Sequence, residues 1–329
     1  MISSQASSSK NKISIESLVR NTITILVLLL SLFFAPFYFE GDQLGYNNAY
    51  DGIKGSNVLE GYVLYNFYIT SDEPIHFFIL WIFSNLGIAK YVVMAFANAV
   101  LANVLTRMFF KWKVSIFVTC FIIFTNFYLL VLYFAAERLK FAFIFFFIAI
   151  LLSDHVKRSY MFVLLSIVTH VQMLILVLGQ FFAMVMQYLI AFLLTLKLKL
   201  SFGRIIFIII LFIPVIFLSD HILYKFKSYA DISASKSLVS NTFQPIIFLL
   251  LSLVYSNNKK ETFFIFFIVI LSSSIVGPER ITMIAYLYFM FYALRINRGI
   301  NFGVIITSIY FFFKSIIFIS NVIQNGHGF

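Results

Sequence analysis

Residues 111–140 read KWKVSIFVTCFIIFTNFYLLVLYFAAERLK, and this stretch shows an organisation that recurs along the chain. A basic cluster leads into the apolar run Val114–Phe134, and the dipeptide Glu137–Arg138 follows before apolar residues resume. A helix needs about 20 apolar residues to cross a bilayer, so this run is predicted to span one. The whole chain is 62% hydrophobic and 11% charged, whereas soluble domains average about 25% charged residues. The sequence therefore predicts an all-α, polytopic integral membrane protein.

The net charge of +11 is concentrated in short basic clusters that border the apolar runs. Lys and Arg beside a transmembrane helix keep the adjoining loop in the cytoplasm, so the clusters predict the orientation of the chain. These charges suit an anionic membrane leaflet, and they do not indicate a nucleic-acid partner. The clusters are Lys10/Lys12/Arg20, Arg107/Lys111/Lys113, Lys157/Arg158, Lys197/Lys199/Arg204, Lys259/Lys260 and Arg295/Arg298.

Alternating apolar runs and loops predict 11 membrane crossings, with the N-terminus cytoplasmic and the C-terminus outside. Residues 1–20 are predicted to form a cytoplasmic tail, and residues 21–329 one membrane domain with external loops at 40–73 and 220–241. The short run 74–87 is predicted to be a re-entrant or interfacial helix, because a full crossing there would place the next basic cluster outside. The run 160–196 is too long for one helix, so it is predicted to break near Thr169–His170.

Charges that anchoring does not explain are candidates for function, because an ionisable side chain in or beside the hydrocarbon is costly. Arg138 and Lys140 follow an apolar run at its predicted external end, where a planar guanidinium suits the binding of a diphosphate. Glu137 beside them is a candidate catalytic base. The same corner also fits an interfacial ion pair that closes a helical hairpin.

A histidine and a second acid–base corner provide further candidates. His170 lies at the predicted break, and a break at membrane depth is tolerated mainly where it lines a cavity. It would bind a phosphate or a sugar hydroxyl, or accept a proton; simple packing in the interior is the alternative. Glu279 and Arg280 form another predicted external corner. If the two corners converge, two arginines would clamp a diphosphate while a glutamate serves as base.

The first predicted external loop contains acidic residues and tyrosines at a regular spacing. Asp42, Tyr46 and Tyr50 are four residues apart, which places them on one face of a helix. Carboxylate and phenol groups there would bind sugar hydroxyls, and a merely polar loop is the alternative. Glu73 precedes Pro74 at a predicted helix start, where an acidic side chain complements the helix dipole.

Lysines in the second predicted external loop, and the absence of known cofactor and catalytic motifs, limit the reactions that the sequence supports. Lys225 and Lys227 would attract an anionic phosphate or saccharide, and a solvated face is the alternative. The single cysteine, Cys120, excludes a disulfide framework and a thiolate metal site. No Walker loop, HExxH, GxSxG, dinucleotide fingerprint or CxxC motif occurs. The sequence therefore predicts no cofactor and no metal.

Five short segments, in order over residues 41–290, resemble the EpsG-like branch of the O-antigen polymerases (Wzy) of bacterial surface polysaccharide assembly. That family has an Asp followed by tyrosines in its first external loop, then a Glu-Pro that opens a helix. An Arg-containing corner, a mid-chain His and a late Arg follow. Here the corresponding segments read GDQLGYNNAY, DEPIHFFILW, ERLKFAF, VTHVQMLIL and PERITMIAY. The chain departs from the pattern at Glu40, where the family often has Arg, and at Leu139, where Gln is common.

The resemblance implies a metal-independent glycosyltransferase that polymerises undecaprenyl-diphosphate-linked oligosaccharides at the periplasmic face of the bacterial inner membrane. The growing chain would move to a new lipid-linked repeat, with release of undecaprenyl diphosphate. The expected partners are the lipid-linked oligosaccharide, membrane lipid and a chain-length regulator. The resemblance implies substrate binding by Asp42, Glu73, Arg138 and Arg280, and a catalytic role for His170.

Two other functions stay open from the sequence. A polyprenyl-phosphate-dependent glycosyltransferase of the GT-C type would use the acidic pair Glu40 and Asp42 and would depend on Mn²⁺ or Mg²⁺. A lipid-linked oligosaccharide flippase or other transporter would place charges through the depth of a central cavity, preferably in repeated halves. The notable charges of this chain gather at the external ends of predicted helices, which favours an enzyme.

Overall fold

The computed structural model describes residues 3–71, 73–195, 238–276 and 278–329, together with Ile216 and Leu223. Within these ranges, side chains are described from residue 15 onward, except at residues 194, 238–240 and 275–280. Every regular element in the described ranges is a helix, so the predicted all-α class is confirmed.

The first half of the chain forms seven of these helices. They are α1 (Ser3–Phe34), α2 (Asp42–Gly52), α3 (Val58–Ile69), α4 (Pro74–Asn85), α5 (Lys90–Lys111), α6 (Ile116–Thr125) and α7 (Phe127–Phe134). Residues 40–73 were predicted to be an external loop, but α2 and α3 occupy most of that segment. Residues 3–20 of the predicted tail are continuous with the first apolar helix, since α1 begins at Ser3.

The remaining described helices follow the corner at Glu137. They are α8 (Glu137–Leu151), α9 (Val156–Thr169), α10 (Met173–Thr195), α11 (Leu238–Tyr255), α12 (Lys259–Val276), α13 (Pro278–Ala293) and α14 (Phe302–Asn325). Short 3-10 turns lie at Ala35–Phe37 and Asn297–Gly299. The predicted external loop at 220–241 lies largely outside the described residues.

The described helices pack in two groups, and an aromatic cluster links the second group to α7 and α14. In one group α1 packs on α5, α5 on α8 and α8 on α9; in the other α10 packs on α12, and α11 on α12 and α13. The ring of Phe311 on α14 lies 4.6 Å from that of Tyr286 and 4.8 Å from that of Tyr128, measured between centroids. Aromatic pairs at this separation stabilise a core beyond the area that they bury. The cluster therefore joins α7, α13 and α14.

The described residues contain four helices that are long and apolar enough to cross a membrane, or five if the bent pair α6 and α7 is one span. The four are Ile15–Phe37, Lys90–Lys111, Met173–Leu193 and Asn297–Asn325. Several apolar helices agree with a membrane-spanning protein, but the prediction of 11 crossings and the orientation built on it are wrong. One reason is that most of the other apolar runs fold into helices of 8 to 16 residues, shorter than the roughly 20 residues that a crossing needs.

Two breaks interrupt the apolar runs. His170 has an extended backbone, with φ −155° and ψ 118°, between the end of α9 and the start of α10. The break predicted near Thr169–His170 is therefore confirmed. Val114–Phe134 was predicted to be one helix, but it bends by 52° between α6 and α7. Asn126 causes this second break, because its side-chain oxygen accepts the backbone N–H groups of Tyr128 and Leu129 and caps α7.

We expect Asn126→Ala to lower the stability of the protein, because the first turn of α7 loses its cap and Tyr286 loses the bond from Asn126 Nδ2, which is 2.8 Å long. Loss of a cap costs about 1–2 kcal/mol, which corresponds to a fall in Tm of several degrees. Thermal unfolding of the detergent-purified protein measures the change. Asn126→Ser, which keeps a capping oxygen without a charge, should unfold nearer to wild type; equal Tm values for Asn126→Ala and wild type would contradict this role.

Candidate functional site

Glu73 is the centre of a buried group of charged side chains. It is 0% exposed, and it lies directly before α4. Its Oε2 atom accepts hydrogen bonds from Nη1 of Arg138 at 2.9 Å and from Oγ of Ser71 at 3.0 Å. Its Oε1 atom contacts Nδ1 of His170 and accepts the backbone N–H of Val171 at 3.3 Å. Each carboxylate oxygen thus has two partners, as a buried charge requires.

The charge of Glu73 is maintained by its neighbours. Burial raises the pKa of a carboxyl group, because the charged form loses its hydration. The neighbouring His170 and Arg138 outweigh burial and hold the pKa of Glu73 well below its ordinary value of 4.5. Glu73 is therefore a permanent carboxylate near neutral pH, and it orients the guanidinium and the imidazole that it contacts.

Local sequence features deliver these side chains to one place. Pro74 occupies the first position of α4, which suits a residue without a backbone N–H, and it holds Glu73 in an extended conformation, with φ −78° and ψ 102°. Arg138 lies in the first turn of α8. His170 has an extended backbone directly after α9, and its ring contacts Glu73. The start of α4, the first turn of α8 and the break after α9 therefore lie together around the carboxylate of Glu73.

Arg138 and His170 both line a cavity of ≈650 Å³, named here the Arg138 cavity. Asp42, Tyr46 and Lys314 line it as well. Arg138 Nε donates to the phenol oxygen of Tyr46 at 3.1 Å, so the guanidinium is held between this phenol and Glu73. The cavity combines an arginine, a histidine and a lysine with a single carboxylate, which makes its lining suitable for an anion.

Lys314 is a cation of this cavity that the sequence analysis did not select as a site residue. Its Nζ lies 5.0 Å from the ring centroid of Phe127 and 5.6 Å from that of Tyr310. In the described part of the chain, no carboxylate lies within 4.0 Å of this ammonium. A lysine in the middle of the apolar run of α14 was the available signal, because such a residue is costly unless it faces a polar space.

A second, apolar cavity of ≈240 Å³ adjoins the Arg138 cavity. Both cavities are lined by Tyr128 and Met283. The rest of its lining is predominantly hydrophobic, with Leu105, Phe147 and Phe291 among the residues. Cationic and apolar spaces are thus neighbours, an arrangement that suits a ligand with an anionic head and a hydrocarbon chain.

The structure brings four of the sequence-predicted residues to the Arg138 cavity: Asp42, Tyr46, Arg138 and His170. Glu73 lies behind them and binds two of them, so it positions other groups and is shielded from the cavity itself. The prediction that Asp42 and Tyr46 share a helix face is confirmed, since both are on α2 and line the same space. Tyr50, one turn further, donates to the carbonyl of Ile88 at 2.6 Å and lines a different cavity.

Glu137 and Lys140 are not among the residues that line the Arg138 cavity. Glu137 Oε1 forms an ion pair with Nζ of Lys90 at 2.9 Å. Lys140 is 1% exposed, and its ammonium donates to the carbonyl of Tyr133 at 2.9 Å. The expected pairing of Arg138 and Lys140 on one diphosphate is therefore absent from this geometry, and Glu137 faces a separate space.

Four further predicted residues lie outside what the structure describes. Lys225 and Lys227 fall between the described ranges. Glu279 and Arg280 belong to the first turn of α13, but their side chains are not described. Their predicted contributions to base catalysis and anion binding remain predictions.

A buried tyrosine–histidine pair supports the cavity wall and was missed from the sequence. Nδ1 of His76 lies 2.9 Å from the phenol oxygen of Tyr65. The His76 ring packs against Tyr46, with 5.8 Å between the ring centroids. The position of His76, three residues after Glu73 on α4, was the available signal, because i and i+3 positions are neighbours at a helix start.

The described ranges contain no group of three or more His, Cys, Asp and Glu side chains arranged to hold a metal ion. No protein-family model, curated protein or solved structure matches this chain.

We expect Glu73→Gln to destabilise the protein by about 3–5 kcal/mol at neutral pH, because Arg138 is left buried without its counter-charge. The stability of the variant should also depend less on pH than the stability of wild type. The pKa of Glu73 is depressed in the folded state, so its stabilisation is present above the ordinary value of 4.5 and is lost as pH falls further toward the folded value.

Tm measured from neutral pH to below 4.5 tests this prediction, with Glu40→Gln as the control for an exposed carboxylate. The Tm of wild type should fall more steeply with acid than that of Glu73→Gln. Ser71→Ala, which removes one bond to the same carboxylate, serves as a milder variant. The prediction would be contradicted if plots of Tm against pH were parallel for wild type, Glu73→Gln and Ser71→Ala.

Proposed function

We propose that this chain polymerises undecaprenyl-diphosphate-linked oligosaccharides at the periplasmic face of a bacterial inner membrane, as an EpsG-like relative of the O-antigen polymerases. The observation that carries this proposal is that Arg138 and His170 line one cavity while both contact the buried carboxylate of Glu73. Glycosyl transfer from a diphosphate needs a group that stabilises the departing anion and a group that accepts a proton. The Arg138 cavity contains one of each.

The guanidinium of Arg138 retains capacity for a phosphate ligand. Of its five N–H groups, one is used on Glu73 and one on Tyr46. Three remain, which is enough for paired hydrogen bonds to phosphate oxygens. Lys314 adds a second positive charge from α14, and the residues of α2 add hydrogen-bonding groups for a sugar.

The proposed step breaks the bond between the anomeric carbon of the growing chain and its diphosphate oxygen, which keeps the electron pair. Arg138 and Lys314 stabilise the resulting charge. A hydroxyl of the incoming lipid-linked repeat forms the new bond to the anomeric carbon and gives its proton to His170. The carboxylate of Glu73 stabilises the imidazolium that results. The products are a lengthened lipid-linked chain and undecaprenyl diphosphate.

The lipid portion of such a substrate is consistent with the neighbouring apolar cavity. A volume of ≈240 Å³ accommodates only the first part of a long polyprenyl chain, so the remainder would extend between helices toward the bilayer. In this proposal the diphosphate occupies the junction of the two cavities, beside Tyr128 and Met283.

Deletion of the chain from its cell is expected to leave surface lipid capped with single repeats, because export continues without polymerisation. Wild type restores the long-chain ladder on a saccharide gel. Arg138→Lys should not restore it although the protein stays in the membrane, because lysine keeps the charge beside Glu73 but loses the planar fork.

Other outcomes of the deletion experiment would contradict the proposal. Loss of all repeats would indicate an export function, and an unchanged ladder would exclude a role in chain length. Purified protein in liposomes that moves the lipid-linked repeat across the bilayer without lengthening it would indicate a transporter.

Lys314→Met is expected to slow polymerisation by about tenfold or more, because a charge-assisted hydrogen bond contributes about 1.5–3 kcal/mol. The assay uses purified protein and the lipid-linked repeat. The ammonium of Lys314 forms no hydrogen bond or ion pair in the described part of the chain and lies over two aromatic rings, so Tm should stay close to wild type. Lys54→Met, at an exposed position, is the matched control. An unchanged rate for Lys314→Met would remove this residue from the site.

A further inference from the structure

A second polar cavity lies at the start of α8, and the proposed chemistry does not use it. It has a volume of ≈350 Å³ and is named here the Glu137 cavity. Asn47, Lys90, Asn98 and Glu137 contribute its polar lining. Adjacent residues on a helix point about 100° apart, so α8 directs Glu137 to this cavity and the next residue to the Arg138 cavity.

The ammonium of Lys90 has no hydrogen left for a ligand. It donates to Glu137 Oε1 at 2.9 Å, to Gln43 Oε1 at 2.8 Å and to Asn47 Oδ1 at 2.9 Å. A lysine has three N–H groups, and these bonds use all of them. Lys90 therefore holds the wall of the cavity and is not available to bind an anion.

Two acceptor atoms of this lining have no partner. Oε2 of Glu137 and Oδ1 of Asn98 are buried without a hydrogen bond, and both residues are only 2% exposed. The amide orientation of Asn98 is defined, because its Nδ2 donates at 3.0 Å to Ser31 Oγ and at 3.0 Å to the carbonyl of Tyr133. A buried acceptor without a donor costs about 1–3 kcal/mol. Both residues line this cavity, so a ligand that donates hydrogen bonds would supply the missing partners of the two atoms.

The charges around the cavity select the kind of donor. Within the lining, Lys90 and Glu137 form an ion pair, and the other charged residue, Asp51, is at the exposed rim, so the interior carries no net charge that would attract a metal ion or an anion. An anion would also face two acceptor atoms without a donor and a lysine with no free N–H group. A neutral ligand with several hydroxyl groups supplies the missing donors without adding a charge.

The size and the aromatic lining fit the same class of ligand. Tyr38, Tyr50 and Tyr91 line the cavity beside its polar groups. Aromatic rings pack against the apolar C–H faces of a sugar, whose own hydroxyl groups stay free to donate hydrogen bonds. Ligand cavities usually range from about 300 to 1,000 Å³, so ≈350 Å³ suits a small ligand of one or two rings.

We infer that the Glu137 cavity binds a neutral sugar unit, with hydroxyl groups donating to Glu137 Oε2 and Asn98 Oδ1. The identity of that sugar as part of a lipid-linked repeat rests on the proposed function. The Arg138 cavity then holds a diphosphate, and the Glu137 cavity holds the saccharide of a substrate on the opposite side of α8.

The test measures binding of the free oligosaccharide that mild acid releases from the cell's own lipid-linked pool. Full-length protein in nanodiscs is titrated and saturation-transfer NMR follows the sugar protons. Glu137→Gln should weaken binding at least tenfold, because an amide N–H replaces the free acceptor while the other oxygen still reaches Lys90. Ala35→Trp should also weaken it, since it fills the cavity wall without touching the ion pair.

Two controls separate this inference from the proposed function. Phe33→Trp, at a position 63% exposed, should bind as wild type does. Arg138→Lys should abolish the polymer ladder but keep the affinity for the free oligosaccharide, because Arg138 is not among the residues lining the Glu137 cavity. Absence of binding to wild type, or equal binding to wild type, Glu137→Gln and Ala35→Trp, overturns the sugar site and means that the cavity holds water only. An unchanged ladder in the deletion strain overturns the polymerase alone.

Discussion

The pairing of one fully buried carboxylate is the constraint on which the site depends. Glu73 cannot remain charged in the interior unless several donors surround it, because burial removes the hydration of the ion. Its donors come from the turn before α4, the first turn of α8 and the break after α9. Displacing any of these segments would leave a charge unpaired, so the carboxylate fixes their relative positions. Arg138 and His170 line their cavity as a consequence.

The first two residues of α8 face different cavities, one with hydrogen-bond acceptors and the other with donors. Arg138 presents unused donors to one space, whereas Glu137 presents an unused acceptor to the other. The angular step of the helix separates them, although they are neighbours in sequence. Glu137 and Arg138 are adjacent in the sequence and suggested one ion pair. Each instead pairs with another residue, Glu137 with Lys90 and Arg138 with Glu73. A protein that handles both a phosphate-bearing lipid and a neutral saccharide would need this kind of division.

The sequence predicted the local features of the fold well and the number of crossings poorly. Composition indicated an all-α membrane protein, Pro74 indicated the start of α4, and the length of 160–196 indicated the break at His170. The count of crossings failed because hydropathy records the length of an apolar run and not whether it is one helix. One polar residue such as Asn126 hardly lowers the mean hydropathy of an apolar run. Its capping hydrogen bonds nevertheless mark the end of one helix and the start of another.

The sequence by itself determined the chemical inventory of the site, including Asp42, Tyr46, Arg138 and His170, because unpaired polar groups in an apolar chain are conspicuous. Only the tertiary structure decided which of them meet. Glu73 and Arg138 are 65 residues apart, and Glu73 and His170 are 97 apart. It also separated Glu137 and Lys140 from the Arg138 cavity and brought Lys314 to it. Helix periodicity and propensity act over a few residues, whereas these pairings follow from how helices pack around a charge that must be neutralised.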